Sequence, residues 1–269
     1  MIDGATTVLA IVGDPVRHAR SPIVVNALLA RARHNAVLLP WHALPDDFAA
    51  VMAGLMHTQN VGGIIVTYPY KQQAMALAHE IRPAARQVGA VNALRREADG
   101  RWVGDMFDGL GLVRAVESLG RPVAGASIQL IGAGGAGGAI AHALASAGAA
   151  SLSIADVDTA RADALAHAVR SHAPGCTVTS GGNGLGDATV LVNATPVGMA
   201  EGDGLPADMT ELHAGIAVVD IVPKADGTAL LALARARGCP HVGGAAMVEG
   251  QAALLLEFFG LPVSQGATA

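Results

Sequence analysis

Lysine is almost missing from this chain: Lys71 and Lys224 stand against fifteen arginines in 269 residues. Positive charge is not in excess either. The formal net charge of -5 leaves no basic face for nucleic acid. Cysteine is as scarce, and Cys176 and Cys239 form neither a CxxC pair nor a cluster with zinc-site spacing. That argues against a disulfide framework or structural zinc and suits a reducing cytoplasm. His18, His34, His42, His57 and His79 show no HxxxH pairing with a nearby carboxylate, so no metal site is expected. No uninterrupted apolar run approaches the ~20 residues that span a bilayer. The apolar stretch at residues 8–12 meets Asp14 too soon for a signal peptide. These absences predict a cytoplasmic protein with no membrane or nucleic-acid partner.

What the chain has is 52% hydrophobic content, arranged as short β-branched runs alternating with longer segments at helical spacing. This is the pattern of βα units stacked into a mostly parallel sheet, an α/β fold, and the length suits two domains. Strands are expected at residues 8–12, 37–39 and 64–66. Helices are expected at 22–33, with Ser21 as N-cap and Pro22 in first position, and at 46–55. A third helix, 70–80, would carry Lys71 in its first turn. Residues 91–105 read as a hairpin turning at Gly100, which interrupts the rhythm and marks a domain edge. A helix at 109–119 then leads to a second βα series from Ser127. The boundary between the two domains is expected near residue 109.

The second series opens on SIQLIGAGGAGGAIAHAL, where a strand runs into Gly132, Gly134 and Gly137 in GxGxxG register and then into a helix. Such a loop (Gly132, Ala133, Gly134, Gly135, Ala136) turns tightly, lets backbone approach a pyrophosphate and aims a helix N-terminus at it. Asp156, at the end of the next strand, suits an adenosine ribose, or alternatively caps the helix near Thr159. With no arginine at Val157 or Asp158 to meet a 2′-phosphate, the charge pattern favours NAD over NADP. Further strands are expected at 189–193 and 216–221. The loop with Asn193, Thr195 and Pro196 lies at a strand's carboxyl end, where open α/β sheets bind ligands, or is a plain Pro-Gly turn.

A dinucleotide domain needs a partner that holds the substrate, and the first half offers Lys71 and Asp108. Alcohol oxidation needs a proton acceptor as hydride leaves, and a lysine with a depressed pKa can serve where an always-charged arginine cannot. An aspartate beside it would orient the ammonium. The plainer alternatives are a solvated helix lysine and an N-cap aspartate.

The order of motifs resembles the shikimate and quinate dehydrogenase family over essentially the whole chain. GDPVRHARSP is similar to its opening loop, GIIVTYPYK to its Asn-Val-Thr-x-Pro-x-Lys segment, GAVNAL to its Gly-Ala-Val-Asn element and GDMFDG to its Gly-Asp-Asn-Thr-Asp-Gly. GAGGAG resembles its nucleotide loop and MVEGQ its carboxyl-terminal Met-Leu-Val-x-Gln. The resemblance implies a substrate domain, 1–108, a Rossmann-type domain, 109–239, and a carboxyl-terminal helix that returns to the first domain, with 240–269 packing back on it. It implies reversible hydride transfer between a ring hydroxyl of shikimate, quinate or a related cyclic polyol and the nicotinamide. Lys71 and Asp108 would be catalytic, with Ser21, Thr67, Asn92 and Gln251 at the substrate. Val157 stands where NADP-type members carry arginine. The sequence departs from the pattern at Ala19, Ile65, Met106, Phe107 and Pro223. In the family, the serines of the opening loop and the tyrosine that Pro223 replaces lie toward the substrate carboxylate, so that end has lost polar groups. Family members include monomers and dimers, so a homodimer is possible. An NAD-binding sensor of the same fold is the alternative to an enzyme. A short-chain dehydrogenase is excluded by the late glycine motif and the missing YxxxK. A methylenetetrahydrofolate dehydrogenase-like enzyme is disfavoured by the Gly-Ala-Val-Asn, Met-Phe-Asp-Gly and carboxyl-terminal glutamine elements.

Overall fold

Residues 2–182, 184–224 and 226–263 are described in a computed structural model. The chain forms two compact units, one running to Phe107 and resuming at Gln251, the other covering Asp108–Gly250.

The first unit holds β1 (Thr7–Gly13), α1 (Ser21–Arg31), β2 (Ala36–His42), α2 (Phe48–His57), β3 (Val61–Val66), β4 (Glu80–Ile81), α3 (Pro83–Val88), β5 (Ala93–Arg96) and β6 (Trp102–Asp105). Its sheet has the order β2-β1-β3-β5-β6-β4. The first three strands are parallel, and the β5–β6 hairpin enters antiparallel to β3. The hairpin predicted around Gly100 is present, with that glycine at φ 84°, and its second strand ends two residues before the first unit breaks off at Phe107. Strands β1 and β3 are buried almost throughout, which is why they read as unbroken apolar runs.

Two local expectations fail. Ser21 is not the N-cap of α1 but its first residue: the Arg20 carbonyl already accepts from Ile23 and Val24, at 3.0 and 3.2 Å. Nor is there an α-helix over 70–80. The Met75 amide donates to Gln72 O at 3.2 Å rather than to Lys71 O as an α-helix requires, and the Lys71 carbonyl accepts from the Val91 amide at 2.9 Å. A single 3₁₀ segment, Gln73–Leu77, follows instead, and Glu80 is drawn into β4 beside β6.

Strand β2 is an edge, yet it is a poor template for another strand. The side-chain amide of Asn26 on α1 accepts from Leu38 N at 2.8 Å and donates to Leu38 O at 2.9 Å, and Pro40 brings no amide hydrogen.

The second unit holds α4 (Asp108–Glu117), β7 (Ser127–Ile131), α5 (Gly135–Ser146), β8 (Ser151–Ala155), α6 (Thr159–His172), β9 (Thr177–Ser180), β10 (Val190–Asn193), β11 (Ala217–Asp220), α7 (Ala229–Ala236), β12 (His241–Gly243) and the start of α8 (Gly244–Phe258). Its six strands are all parallel in the order β12-β11-β10-β7-β8-β9. That order reverses direction between β7 and β10, the crevice where doubly wound sheets bind dinucleotides. The core gathers Leu112 and Val116 of α4, Ile140 and Leu144 of α5, and the inward faces of β7, β8 and β10.

The last helix ends in the first unit. Ala252, Leu255, Leu256, Phe258 and Phe259 join Leu9, Ile11, Val25 and Leu29 in one apolar cluster, each large side chain contributing about 1.5–3 kcal/mol of burial. The guanidinium groups of Arg82 and Arg95 lie over the Phe258 ring, 5.3 and 4.9 Å from its centre, and Arg95 donates to the Phe258 carbonyl at 3.0 Å. Among the described residues no helix is long and apolar enough to cross a membrane.

Candidate active site

In the second unit, β7 delivers the glycine loop to the switch point. Gly132 has φ 106°, and a Cβ there would lie 2.7 Å from the Ala194 carbonyl carbon and 3.0 Å from Thr195 N. Both conformation and space therefore demand glycine, and the demand ties this loop to the one after β10. A Cβ on Gly137 would run into the Gly132 carbonyl, so that glycine lets α5 start close against the strand. Around Gly134 a Cβ would meet open space, and no side chain caps α5, whereas α6 and α7 are capped by Asp158 and Thr228. A pyrophosphate fits that arrangement: approachable backbone at Gly134 and the uncapped first turn of a twelve-residue helix.

Asp156 follows β8, and the N-cap role considered for it belongs to Asp158, which accepts from Arg161 N at 3.2 Å. Asp156 instead accepts from Ala133 N at 2.7 Å and from Asp158 N at 2.9 Å, joining the glycine loop to the end of the next strand. Burial pushes its carboxyl up, but those two amides and the Arg161 guanidinium outweigh it and hold it below the ordinary carboxylate value. Arg161 sits 3.9 Å from Asp156 and 3.4 Å from Asp158, shared between two acids, while Val157 between them is fully exposed.

The loop after β10 is organised by hydrogen bonds of defined polarity. Thr195 N can only donate, so the Asn193 atom 3.1 Å away is its oxygen, which also accepts from the Thr195 hydroxyl at 2.7 Å. The Asn193 nitrogen therefore faces Asp220 at 3.0 Å and the Val197 carbonyl at 3.2 Å. Thr195 in turn accepts from Val197 N at 3.1 Å, across Pro196. Asp220 also accepts from Val222 N at 3.1 Å and from the Thr228 hydroxyl at 2.5 Å. Sequence reasoning did not single out Asp220 or Thr228. The available signal was an acid ending an all-apolar strand, as Asn193 ends β10.

In the first unit, Thr67 and Lys71 follow β3, Ser21 opens α1, Asn92 precedes β5, and Gln251 is where the chain re-enters from α8. Backbone bonds join the Thr67, Lys71 and Asn92 segments to one another and to β1: Val66 N to Asn92 O at 2.8 Å, Thr67 N to Val12 O at 2.9 Å, Val91 N to Lys71 O at 2.9 Å. Asn92 and Gln251 are both buried and are brought into direct contact, Asn92 Nδ2 donating to Gln251 Oε1 at 3.0 Å. Phe107 N donates to Asn92 Oδ1 at 2.9 Å. Ser21 is buried, while Thr67 and Lys71 are half-buried. Asp108, buried, opens the second unit as the first residue of α4 rather than its N-cap.

The positions that depart from the family pattern separate into two kinds. Ile65 and Phe107 are buried in the apolar cluster of the first unit with Val16, and Ala19 packs against it. Met106 is buried, and Pro223, in the second unit, is exposed.

A family model described as the shikimate dehydrogenase substrate binding domain matches residues 11–94. The shikimate dehydrogenase (NADP(+)) of Rubrobacter xylanophilus is 37% identical over 251 residues, spanning 92% of this chain and 88% of that one. Among solved structures, shikimate 5-dehydrogenase from Listeria monocytogenes, in complex with shikimate and NAD, aligns with a TM-score of 0.88 at 28% identity over 98% of this chain and 95% of that one. Quinate dehydrogenase from Corynebacterium glutamicum, in complex with NAD, aligns with a TM-score of 0.85 at 31% identity over 96% and 95%. With its motifs in family order and an identity of this extent, the chain belongs to the shikimate dehydrogenase family.

Proposed function

We propose that the chain is an NAD-dependent dehydrogenase that moves hydride reversibly between a ring hydroxyl carbon of shikimate, quinate or a related cyclic polyol and the nicotinamide. The observation that supports it best is a dinucleotide cradle around Gly132 in a chain whose first unit joins the segments of Thr67, Lys71 and Asn92 by backbone bonds and Asn92 to Gln251 by side chains. Lys71 takes the hydroxyl proton at Nζ during oxidation and returns it during reduction, which an arginine could not do. Asp108 accepts from that hydroxyl and orients the ammonium. Thr67, Asn92 and Gln251 bind neighbouring hydroxyls, and Ser21 lies toward the opposite end of the ring. NAD, when bound, supplies the hydride acceptor. Gly132 to Ala136 hold its pyrophosphate, Asp156 its adenosine ribose, and Asn193, Thr195 and Pro196 shape the crevice.

NAD is preferred over NADP because a 2′-phosphate would meet Asp156 and Asp158, while the nearest guanidinium, Arg161, is already engaged by both. At the end where the family's carboxylate donors lie, Ala19 packs against the apolar cluster of the first unit and Pro223 has no side-chain donor, so a carboxylate would find fewer partners. Each hydrogen bond missing there weakens binding by about 1.5–3 kcal/mol, so shikimate is a poor substrate or quinate or an amino-substituted analogue is preferred. The test is a screen of ring alcohols with both nicotinamide cofactors. An ordinary shikimate specificity constant with NADP preference would sink both claims, and no NADH from any ring alcohol would favour an NAD-binding sensor.

A further inference from the structure

We propose that Gly13 is a positioning residue for substrate binding: the space left by its missing side chain fixes the rotamer of Thr67 and so aims the Thr67 hydroxyl. The inference rests on the reading above that Thr67 binds a substrate hydroxyl.

Gly13 ends β1. Its φ is not positive, so its backbone conformation is open to any residue, and the reason for glycine must lie in the space around it. That space is taken by Thr67. A Cβ on Gly13 would overlap Thr67 Cγ2, and would stand 3.6 Å from Thr67 Cβ and 3.0 Å from the Tyr68 carbonyl oxygen. Two backbone bonds bracket the contact and keep the segments from separating: Thr67 N to Val12 O at 2.9 Å and Asp14 N to Tyr68 O at 3.0 Å. The overlap is thus with a side-chain methyl held in place by a fixed backbone.

Threonine carries its methyl and hydroxyl on the same carbon, so a χ1 rotation that moves one moves the other by about 120°. An alanine at position 13 is accommodated by turning Cγ2 away, and the hydroxyl leaves its position with it. The Tyr68 carbonyl needs to yield only a few tenths of an ångström. The predicted damage is therefore a misdirected hydroxyl in an otherwise intact unit. A serine at position 67 has no methyl to displace and escapes it.

The experiment is a double-mutant cycle of Gly13→Ala and Thr67→Ser, with Thr67→Val as control. It is read by steady-state kinetics on the faster of shikimate and quinate, by the KM for NAD, and by thermal unfolding. Gly13→Ala is expected to lower kcat/KM for the ring alcohol roughly tenfold, as loss of one hydrogen bond does, with the KM for NAD unchanged. Adding Thr67→Ser should bring the value back to within about twofold of Thr67→Ser alone. Unchanged kcat/KM in Gly13→Ala, or failure of the serine to restore it, overturns the proposal. Should Gly13→Ala not fold, the doubly substituted protein is compared with Thr67→Ser directly: equality supports the proposal and a loss overturns it. If Thr67→Val leaves the substrate KM unmoved, the placement of Thr67 at the substrate fails, and that result is distinct from a failed rescue.

Discussion

Asn193 donates its side-chain amide to Asp220 at 3.0 Å, and both residues are completely buried at the carboxyl ends of neighbouring parallel strands. Burial pushes the Asp220 carboxyl up, against the hydrogen bonds from Thr228, Val222 and Asn193. Because the carboxylate only accepts, it fixes which end of Asn193 faces Thr195, and with it the shape of the loop. Asp220→Ala is expected to cost at least about 3 kcal/mol in denaturant unfolding, since several buried donors lose their acceptor at once. Asp220→Asn keeps one acceptor oxygen and should cost less than half as much. In both variants the KM for NAD should rise more than that for the ring alcohol.

A pH dependence follows from His142 on α5, buried with its ring edge-on to His172, the ring centres 5.5 Å apart. Burial and, secondarily, the charge of His172 hold its pKa below the ordinary 6.5. As pH falls through 6.5 the unfolded chain takes up a proton that the folded chain refuses, so stability is fully present above that pH and declines as pH drops toward the folded-state pKa. Melting temperature measured from pH 7.5 to 5 should fall less steeply in His142→Gln than in the parent. An equal slope would remove His142 as a contributor.

The elements that read correctly from sequence are those whose signal is local. Strand β1 is an unbroken apolar run because it is buried on both faces, and the glycine loop announces itself because its three glycines serve contacts within one βα turn. At Lys71 the expected helix is absent: Met75 N turns to Gln72 O, and the Lys71 carbonyl accepts from Val91, a partner that local periodicity does not register. Asp220 escaped notice for the same reason: its partner Asn193 lies 27 residues away. Asn92 and Gln251 were found through family resemblance, and nothing local pairs side chains 159 residues apart. Ile65 reads as ordinary strand and is ordinary core. Only the family pattern marks it as a changed position.

The cofactor preference can be tested at Val157, which is fully exposed between two acids. Val157→Arg adds a cation that Asp156 and Asp158 do not already share with Arg161. It should raise the ratio of kcat/KM for NADP over NAD about tenfold, the effect of one charge-assisted hydrogen bond. An unchanged ratio would mean that discrimination lies elsewhere in the crevice.

Lys71 carries the reaction if the proposed function holds. Lys71→Ala should lower turnover by about 10²–10⁴-fold, the range for a positioned acid or base, and leave NAD affinity by fluorescence titration nearly unchanged. Turnover within a fewfold of the parent would assign the proton to another group.

Gln251 offers the sharpest separation of binding from stability. Phe107 N can only donate, so the Asn92 atom at 2.9 Å is oxygen, and the Asn92 nitrogen then donates to Gln251 Oε1. The end of Gln251 that remains for a substrate is its nitrogen, a donor. Gln251→Glu keeps an oxygen for Asn92 and exchanges that donor for an acceptor at almost constant volume. Its melting temperature should stay within a few degrees of the parent while the KM for the ring alcohol rises about tenfold. Asn92→Asp has the opposite character, because it sets a carboxylate oxygen against Gln251 Oε1 and leaves that buried oxygen without its donor. It should therefore lose about 1–3 kcal/mol of stability as well as binding. If Gln251→Glu destabilises the fold as much as Asn92→Asp, the pair is a structural tie and the substrate role of Gln251 fails.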